Sequence, residues 1–433
     1  MLKPLQQFGL GFLSLPISLI VVSVLTFVPT YYALDLGLGL AATGLIFAMG
    51  RMLDVVTDPL IGHLSDGTRS PLGRRLPWMI LGVLVLCPSI YGFMVPSTEP
   101  TTLLLAINVG LFFLAVTLLD LPFSAVGLEI SPFIHERTII AAVKAVFQIL
   151  GALGAPILIV LFSEDLSQAL QYTAYLSIGL ILLGLMSFVG LTPFRNQQAQ
   201  SFTKKASLRF SPQSALKGIV IDSDYRRLLL AFGLAQAGSA MTVGLTALLV
   251  TKHFQAPQLT GAFIIIVLLA SAAGLPLWVY ASKRFGKARS WVMGLMAGVI
   301  LMLFAFVFLG GPLWMFGLFC ALFGLIVASD VILPTTILAD IVSDDVSQEG
   351  ETNDAGMMLG FKNAVSKLGF VGPMLLAFPV LGLLGVDQVE TLDGTQYLAL
   401  LGFYSFVPAG FRLMALWVFS RSSGLTSLAE PAE

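Results

Sequence analysis

The ionisable side chains inside long apolar runs of this 433-residue chain include Arg51, Asp54, Asp58, Asp120, Lys144, Asp330, Lys367 and Arg412. Arg51, Asp54 and Asp58 are spaced i, i+3 and i+7, so they share one helical face, with Thr57 beside it. Thr117 and Asp120 share a face in the same way. Two carboxylates one turn apart repel when both are ionised, and a proton or a cation lodged between them relieves the repulsion. Carboxylates and hydroxyls are hard ligands suited to Na⁺, while a single carboxylate is enough for H⁺.

Other chemistries find no support. His63, His135 and His253 stand at the ends of apolar runs with no metal-ligand spacing and no nucleophile beside them. Cys87 and Cys320 lie singly within apolar runs, which reads as packing rather than a disulfide framework or a metal site. The expectation is a protein that is not an enzyme and carries no cofactor, with Na⁺ or H⁺ as its coupling ion. The Lys/Arg-rich central segment reads as a solvated tether near anionic lipid and not as a nucleic-acid surface.

These residues need elements to position them, and composition says what kind. The chain is 57% hydrophobic and 11% charged, with a net charge of -1 and a mean hydropathy of +0.92. A soluble domain carries roughly 25% charged residues, so only a bilayer solvates this chain. Apolar runs bounded by charges, Pro and Gly predict helices near 9–33, 39–64, 76–95, 101–128, 138–163, 171–192, 225–251, 259–282, 290–309, 312–340, 357–384 and 396–420. The expected fold is an all-α membrane protein of twelve transmembrane helices. A polar stretch bearing Arg195, Lys204, Lys205, Arg209 and Lys217 parts them six and six. The expected organisation is one bundle over 1–193, a cytoplasmic linker over 194–224, a second bundle over 225–421 and a cytoplasmic tail over 422–433. The N-terminal residues lack the short apolar core and small-residue cleavage site of a removable signal, so the first run is expected to be a retained span.

Basic residues set the orientation. Arg69, Arg74, Arg75, Arg137, the linker cations, Lys283, Arg284, Lys287 and Arg289 collect on one side, against Lys252 on the other. The basic side stays in the cytoplasm during insertion, so both termini are expected there.

The halves carry a weak repeat. The fourth run reads Asp120-Leu-Pro122 with Glu129 beyond, and the tenth reads Asp330-Val-Ile-Leu-Pro334 with Asp340 beyond. Gly73-Arg74-Arg75 after the second run is echoed by Gly286-Lys287-Ala288-Arg289 after the eighth. Duplicated six-helix halves with a site between them are a transporter architecture. A charge at the bilayer centre costs at least about 2.5–3.5 kcal/mol on insertion scales, so each needs a partner or a task. Salt bridging between helices is the plainer reading, and it is the one assigned to Asp330 and Arg412.

The stretch Gly50-Arg-Met-Leu-Asp54-Val-Val-Thr57-Asp58-Pro59-Leu-Ile-Gly62, with Asp66, Thr68-Arg69-Ser70, Gly73-Arg74-Arg75 and Pro77-Trp78, resembles the glycoside–pentoside–hexuronide:cation symporters of the major facilitator superfamily. Asp120-Leu-Pro122, Glu129, Glu136-Arg137-Thr138 and Lys367 extend the resemblance over nearly the whole chain. The resemblance implies two pseudo-symmetric six-helix bundles, alternating access, and symport of a small solute with Na⁺, H⁺ or Li⁺. It implies cation binding at Asp54 and Asp58 with Thr117 and position 57. It implies solute binding by Asp120 and Lys144, with Arg51 and Lys367 adjoining.

Position 57 is Thr where the melibiose branch has Asn, position 144 is Lys where many relatives have Arg, and the first run holds no acid where that branch has an Asp. A sugar or glycoside is the first expectation for the solute. A lysophospholipid-like amphiphile, carried by a related branch, and proton-driven export are the alternatives. The loop residues Asp66, Arg69, Arg74 and Arg75 are expected to latch the outward-open state through ion pairs each worth about 1 kcal/mol. The expected setting is a monomer in the bacterial cytoplasmic membrane, among lipid, with a solute and a coupling cation as partners.

Overall fold

The computed structural model describes residues 3–96, 100–130, 134–162, 165–192, 223–349 and 355–421, and all regular structure among them is helical. The helices, in chain order, are α1 (Pro4–Asp35), α2 (Leu40–Gly67), α3 (Leu76–Met94), α4 (Thr102–Glu129), α5 (Ile134–Leu161) and α6 (Leu166–Leu191). They continue with α7 (Ser223–Lys252), α8 (Thr260–Phe285), α9 (Lys287–Leu303), α10 (Leu313–Glu349), α11 (355–383) and α12 (Gly394–Ser420). Eleven of the described helices are long and apolar enough to cross a membrane. The expected linker is described only at Ser223 and Asp224, where α7 begins, and the expected tail lies outside the described residues.

The twelfth expected span is α9, and it stops short. Its 17 residues end at Leu303, and a separate helix, Ala305–Leu309, follows Phe304. At this break the Ser405 hydroxyl of α12 donates to the Met302 carbonyl. A side chain inserted into the backbone ladder is a common reason for a helix to break. Turns of π-helix interrupt α1 at Tyr31–Asp35, α11 at Pro373–Ala377 and α12 at Gly402–Phe406.

Backbone contacts divide the chain into two units, Met1–Ser207 with Pro257–Gly261, and Leu208–Ala256 with Ala262–Glu433. In the first, α1 packs on α5 and α6, α2 on α4, and α3 on α4 and α6. In the second, α7 packs on α11 and α12, and α9 on α10 and α12, while Gly274 and Gly324 bring α8 and α10 together. The same pairings thus recur with the helix number advanced by six, so the sequence repeat is a repeat of packing.

Small residues make these contacts close. A methyl group at Gly82 would stand 2.8 Å from the Leu119 backbone nitrogen, and one at Gly151 would overlap the Leu15 carbonyl. Helices in lipid associate through such close packing, since burial of apolar surface gives no net advantage there. The apolar side chains left exposed, such as Leu84, Leu103, Leu161, Met186 and Leu383, suit a hydrocarbon solvent.

Candidate cation and solute sites

The first site lies where α2 meets α4. Gly50 allows the approach, because a Cβ there would lie 2.7 Å from the side chains of Phe113 and Val109. One turn on, the same face of α2 presents Asp54, which is 1% exposed, and then Asp58. Pro59 has no N–H to give the Val55 carbonyl, and Pro122 none for Leu118, so both helices are opened locally beside these acids.

Thr117 Oγ1 on α4 stands 3.0 Å from Asp54 Oδ1 and 3.0 Å from Asp58 Oδ1. A hydroxyl has one proton to donate. It is therefore shared between the two carboxylates, and a cation among the three oxygens would relieve the repulsion between them. Asp54 Oδ2 accepts from Arg51 Nη1 at 2.8 Å. When all are ionised, Arg51, Asp54 and Asp58 carry one net negative charge, the amount that a single monovalent cation neutralises.

Two placements differ from expectation. Thr57 donates its hydroxyl to the Leu53 carbonyl at 2.9 Å within its own helix, so its oxygen is not turned to the two acids. Arg51 adjoins the acid pair: its guanidinium bonds Asp54 and lies over the Phe113 ring at 5.5 Å.

The second site joins α4 and α5. Lys144 Nζ donates to Ser124 Oγ at 3.1 Å and sits 4.1 Å from the centre of the Phe123 ring. Among the described residues no ion pair within 4.0 Å links it to Asp120, which stands one helical turn before Ser124 on α4. Ser124 and Phe123 were not legible as functional residues. The signal available was that Ser124 follows Asp120 by four positions and so shares its face. Lys367 is half-buried on α11, in the second unit.

The loop between α2 and α3 holds a local cluster. Arg75, 5% exposed, pairs with Asp66 and donates to Ser65 Oγ at 2.6 Å. Trp78 Nε1 donates to Thr68 Oγ1 at 2.8 Å. Arg69 is exposed and Arg74 half-buried. Gly73 takes φ +87° and its repeat partner Gly286 φ +84°, a left-handed conformation that suits glycine. In the second unit Lys287 binds both oxygens of Asp340, at 2.6 and 2.7 Å. Asp330 and Arg412 form the expected salt bridge at 2.8 Å, both fully buried. The side chains of Glu129, Arg137 and Thr138 lie outside the described residues.

Among the described residues, no three His, Cys, Asp or Glu side chains gather as a metal centre. Cys87 and Cys320 are free thiols. His253 Nε2 contacts the Leu309 carbonyl at 3.0 Å and its ring stacks on Tyr397.

Two helical units with repeated packing, and polar clusters set between otherwise apolar helices, define an integral membrane transporter of the major facilitator type. The chain belongs to the family described as MFS/sugar transport protein, whose model matches residues 9–423. It is similar to sodium-dependent lysophosphatidylcholine symporter 1 of Xenopus tropicalis, 23% identical over 75% of this chain and 67% of that protein. It is also similar to inner membrane symporter YicJ of Escherichia coli, 28% identical over 28% of this chain and 27% of that one. The alignments thus span from about a quarter to two-thirds of these relatives' lengths. The crystal structure of nucleoside transporter NupG shares the fold, with a TM-score of 0.69, 13% identity, and coverage of 96% of this chain and 98% of that chain. The family and fold are those of transporters and not of enzymes.

Proposed function

We propose that this protein is a cation-coupled symporter that carries a small solute by alternating access, with Asp54, Asp58 and Thr117 as the coupling-cation site. The observation that carries the reading is the single Thr117 proton shared by two carboxylate oxygens, each at 3.0 Å. Three hard oxygens and one excess negative charge suit Na⁺, Li⁺ or a proton. A bound cation removes the repulsion between Asp54 and Asp58, and the coupling is its differential affinity for the solute-competent state.

The solute is a sugar or glycoside on this reading. The family description names sugar transport, and the Asp120, Ser124 and Lys144 group offers both acceptors and donors to a polyol. The Phe123 ring beside Lys144 adds an apolar face of the kind a sugar ring stacks on. The second reading, a lysophospholipid-like amphiphile, draws on the Xenopus relative's name and on an α1 without acids through Leu34. Asp66, Arg69, Arg74 and Arg75 would serve as the latch of one facing state. The protein would sit as a monomer in the bacterial cytoplasmic membrane with both termini in the cytoplasm.

A thermal-shift screen of purified protein tests solute class. Free sugars, methyl glycosides and lysophosphatidylcholine are each added with NaCl or with choline chloride. The expected result is stabilisation by a sugar or glycoside that NaCl or a lower pH enhances. Stabilisation by lysophosphatidylcholine alone would move the assignment to the amphiphile, and cation-independent stabilisation would overturn symport.

A further inference from the structure

Four helices of the second unit meet at one buried charge pair. Arg412 on α12 donates from Nη2 to Asp330 Oδ2 on α10 and to Ser239 Oγ on α7, both at 2.8 Å. Trp291 Nε1 on α9 donates to Asp330 Oδ1 at 3.1 Å. Both carboxylate oxygens are thus satisfied. The guanidinium is not: Arg412 is fully buried, and among the described residues its Nε and Nη1 have no acceptor. Those two atoms carry three of the five N–H groups.

The unused donors lie against Gly298 of α9. A Cβ at Gly298 on α9 would stand 2.7 Å from Arg412 Nη1 and 2.9 Å from Cζ. One turn earlier, Gly294 makes room for the Ser329 side chain of α10. These two glycines let α9 approach its neighbours closely, Gly294 against α10 and Gly298 against the Arg412 guanidinium of α12.

Stability alone does not explain the pair. Apolar residues of similar volume commonly hold packed helices as well as a buried ion pair does. Buried donors without acceptors are a further cost. We propose that Arg412 and Asp330 are positioning residues of the transport cycle. They form a joint in which Arg412 keeps Asp330 while Nε and Nη1, packed against Gly298, gain acceptors on α9 as that helix shifts against α12. The joint rests on the carrier reading given above.

The test uses the full chain in proteoliposomes. Three quantities are read: unfolding midpoint, cation-induced thermal shift, and gradient-driven uptake of labelled sugars, methyl glycosides and lysophosphatidylcholine. The apolar pair Asp330→Leu with Arg412→Met should keep the midpoint and the cation shift, while uptake falls at least ten-fold. Gly298→Ala, which keeps the pair but crowds Nη1, should slow uptake in the same way. Arg412→Lys keeps the charge without the fork and should fall between. Uptake within two-fold of wild type in the apolar pair overturns the joint, and so does a joint loss of midpoint, cation shift and uptake, which marks a structural clamp. Should the apolar pair not fold, normal uptake by Gly298→Ala overturns it instead. A wild-type protein that shows no cation shift overturns the carrier reading itself.

Discussion

At the scale of residues, the account turns on one proton between two acids. Thr117→Val removes the hydroxyl that reaches both Asp54 and Asp58 and should weaken the apparent cation affinity about ten-fold or more, the factor that corresponds to one charge-assisted hydrogen bond of about 1.5 kcal/mol. Thr57→Val should leave that affinity within about two-fold, because its hydroxyl is spent on the Leu53 carbonyl. A titration of activation by NaCl, or by pH if protons couple, measures both. Equal effects of the two substitutions would mean that the Thr57 oxygen turns into the site during function. The contrast shows what spacing reveals: i, i+3 and i+7 gave the common face of Arg51, Asp54 and Asp58. It does not give side-chain rotamers, so Thr57 looked equivalent to Thr117. Nor does it give partners on other helices, which is why Ser124 and Phe123 beside Lys144 were not visible.

At the scale of elements, glycines decide which helices touch. Gly151→Ala would drive a methyl group into the Leu15 carbonyl on α1, and backbone cannot yield as a side chain does. Overpacking of this kind costs typically about 1–3 kcal/mol, so the expected outcome is a clearly lowered unfolding midpoint with the cation dependence of the remaining folded protein unchanged. Gly179→Ala, with nothing within 4 Å of its added methyl, should be neutral or slightly stabilising. A Gly151→Ala protein as stable as wild type would show that α1 and α5 are less closely packed than described here. Helix positions were readable from apolar runs, because lipid imposes a length and a composition that water does not. The break in α9 was not readable: the Ser405 hydroxyl that meets Met302 there is 103 positions away in sequence. The π turns in α1, α11 and α12 likewise leave no signature in an apolar run.

At the scale of the whole molecule, the repeat seen as Gly73-Arg74-Arg75 and Gly286-Lys287-Ala288-Arg289 proves to be a repeat of helix pairings and of glycine conformation. Neither repeated segment could show which acid each cation meets. Arg75 takes the nearby Asp66, whereas Lys287 reaches Asp340 on α10. A transporter of this design should be stabilised by its coupling cation even without solute. At a cation concentration 100 times the dissociation constant, linkage supplies about 2.7 kcal/mol, which Asp58→Asn should remove.

The most direct measurement is accumulation of the solute found by thermal shift, in proteoliposomes under an imposed Na⁺, Li⁺ or pH gradient, for wild type and Asp58→Asn. Wild type should accumulate solute against its gradient with at least one of these cations, and Asp58→Asn should only equilibrate it. Continued gradient-driven accumulation by Asp58→Asn would contradict the placement of the coupling cation between Asp54, Asp58 and Thr117.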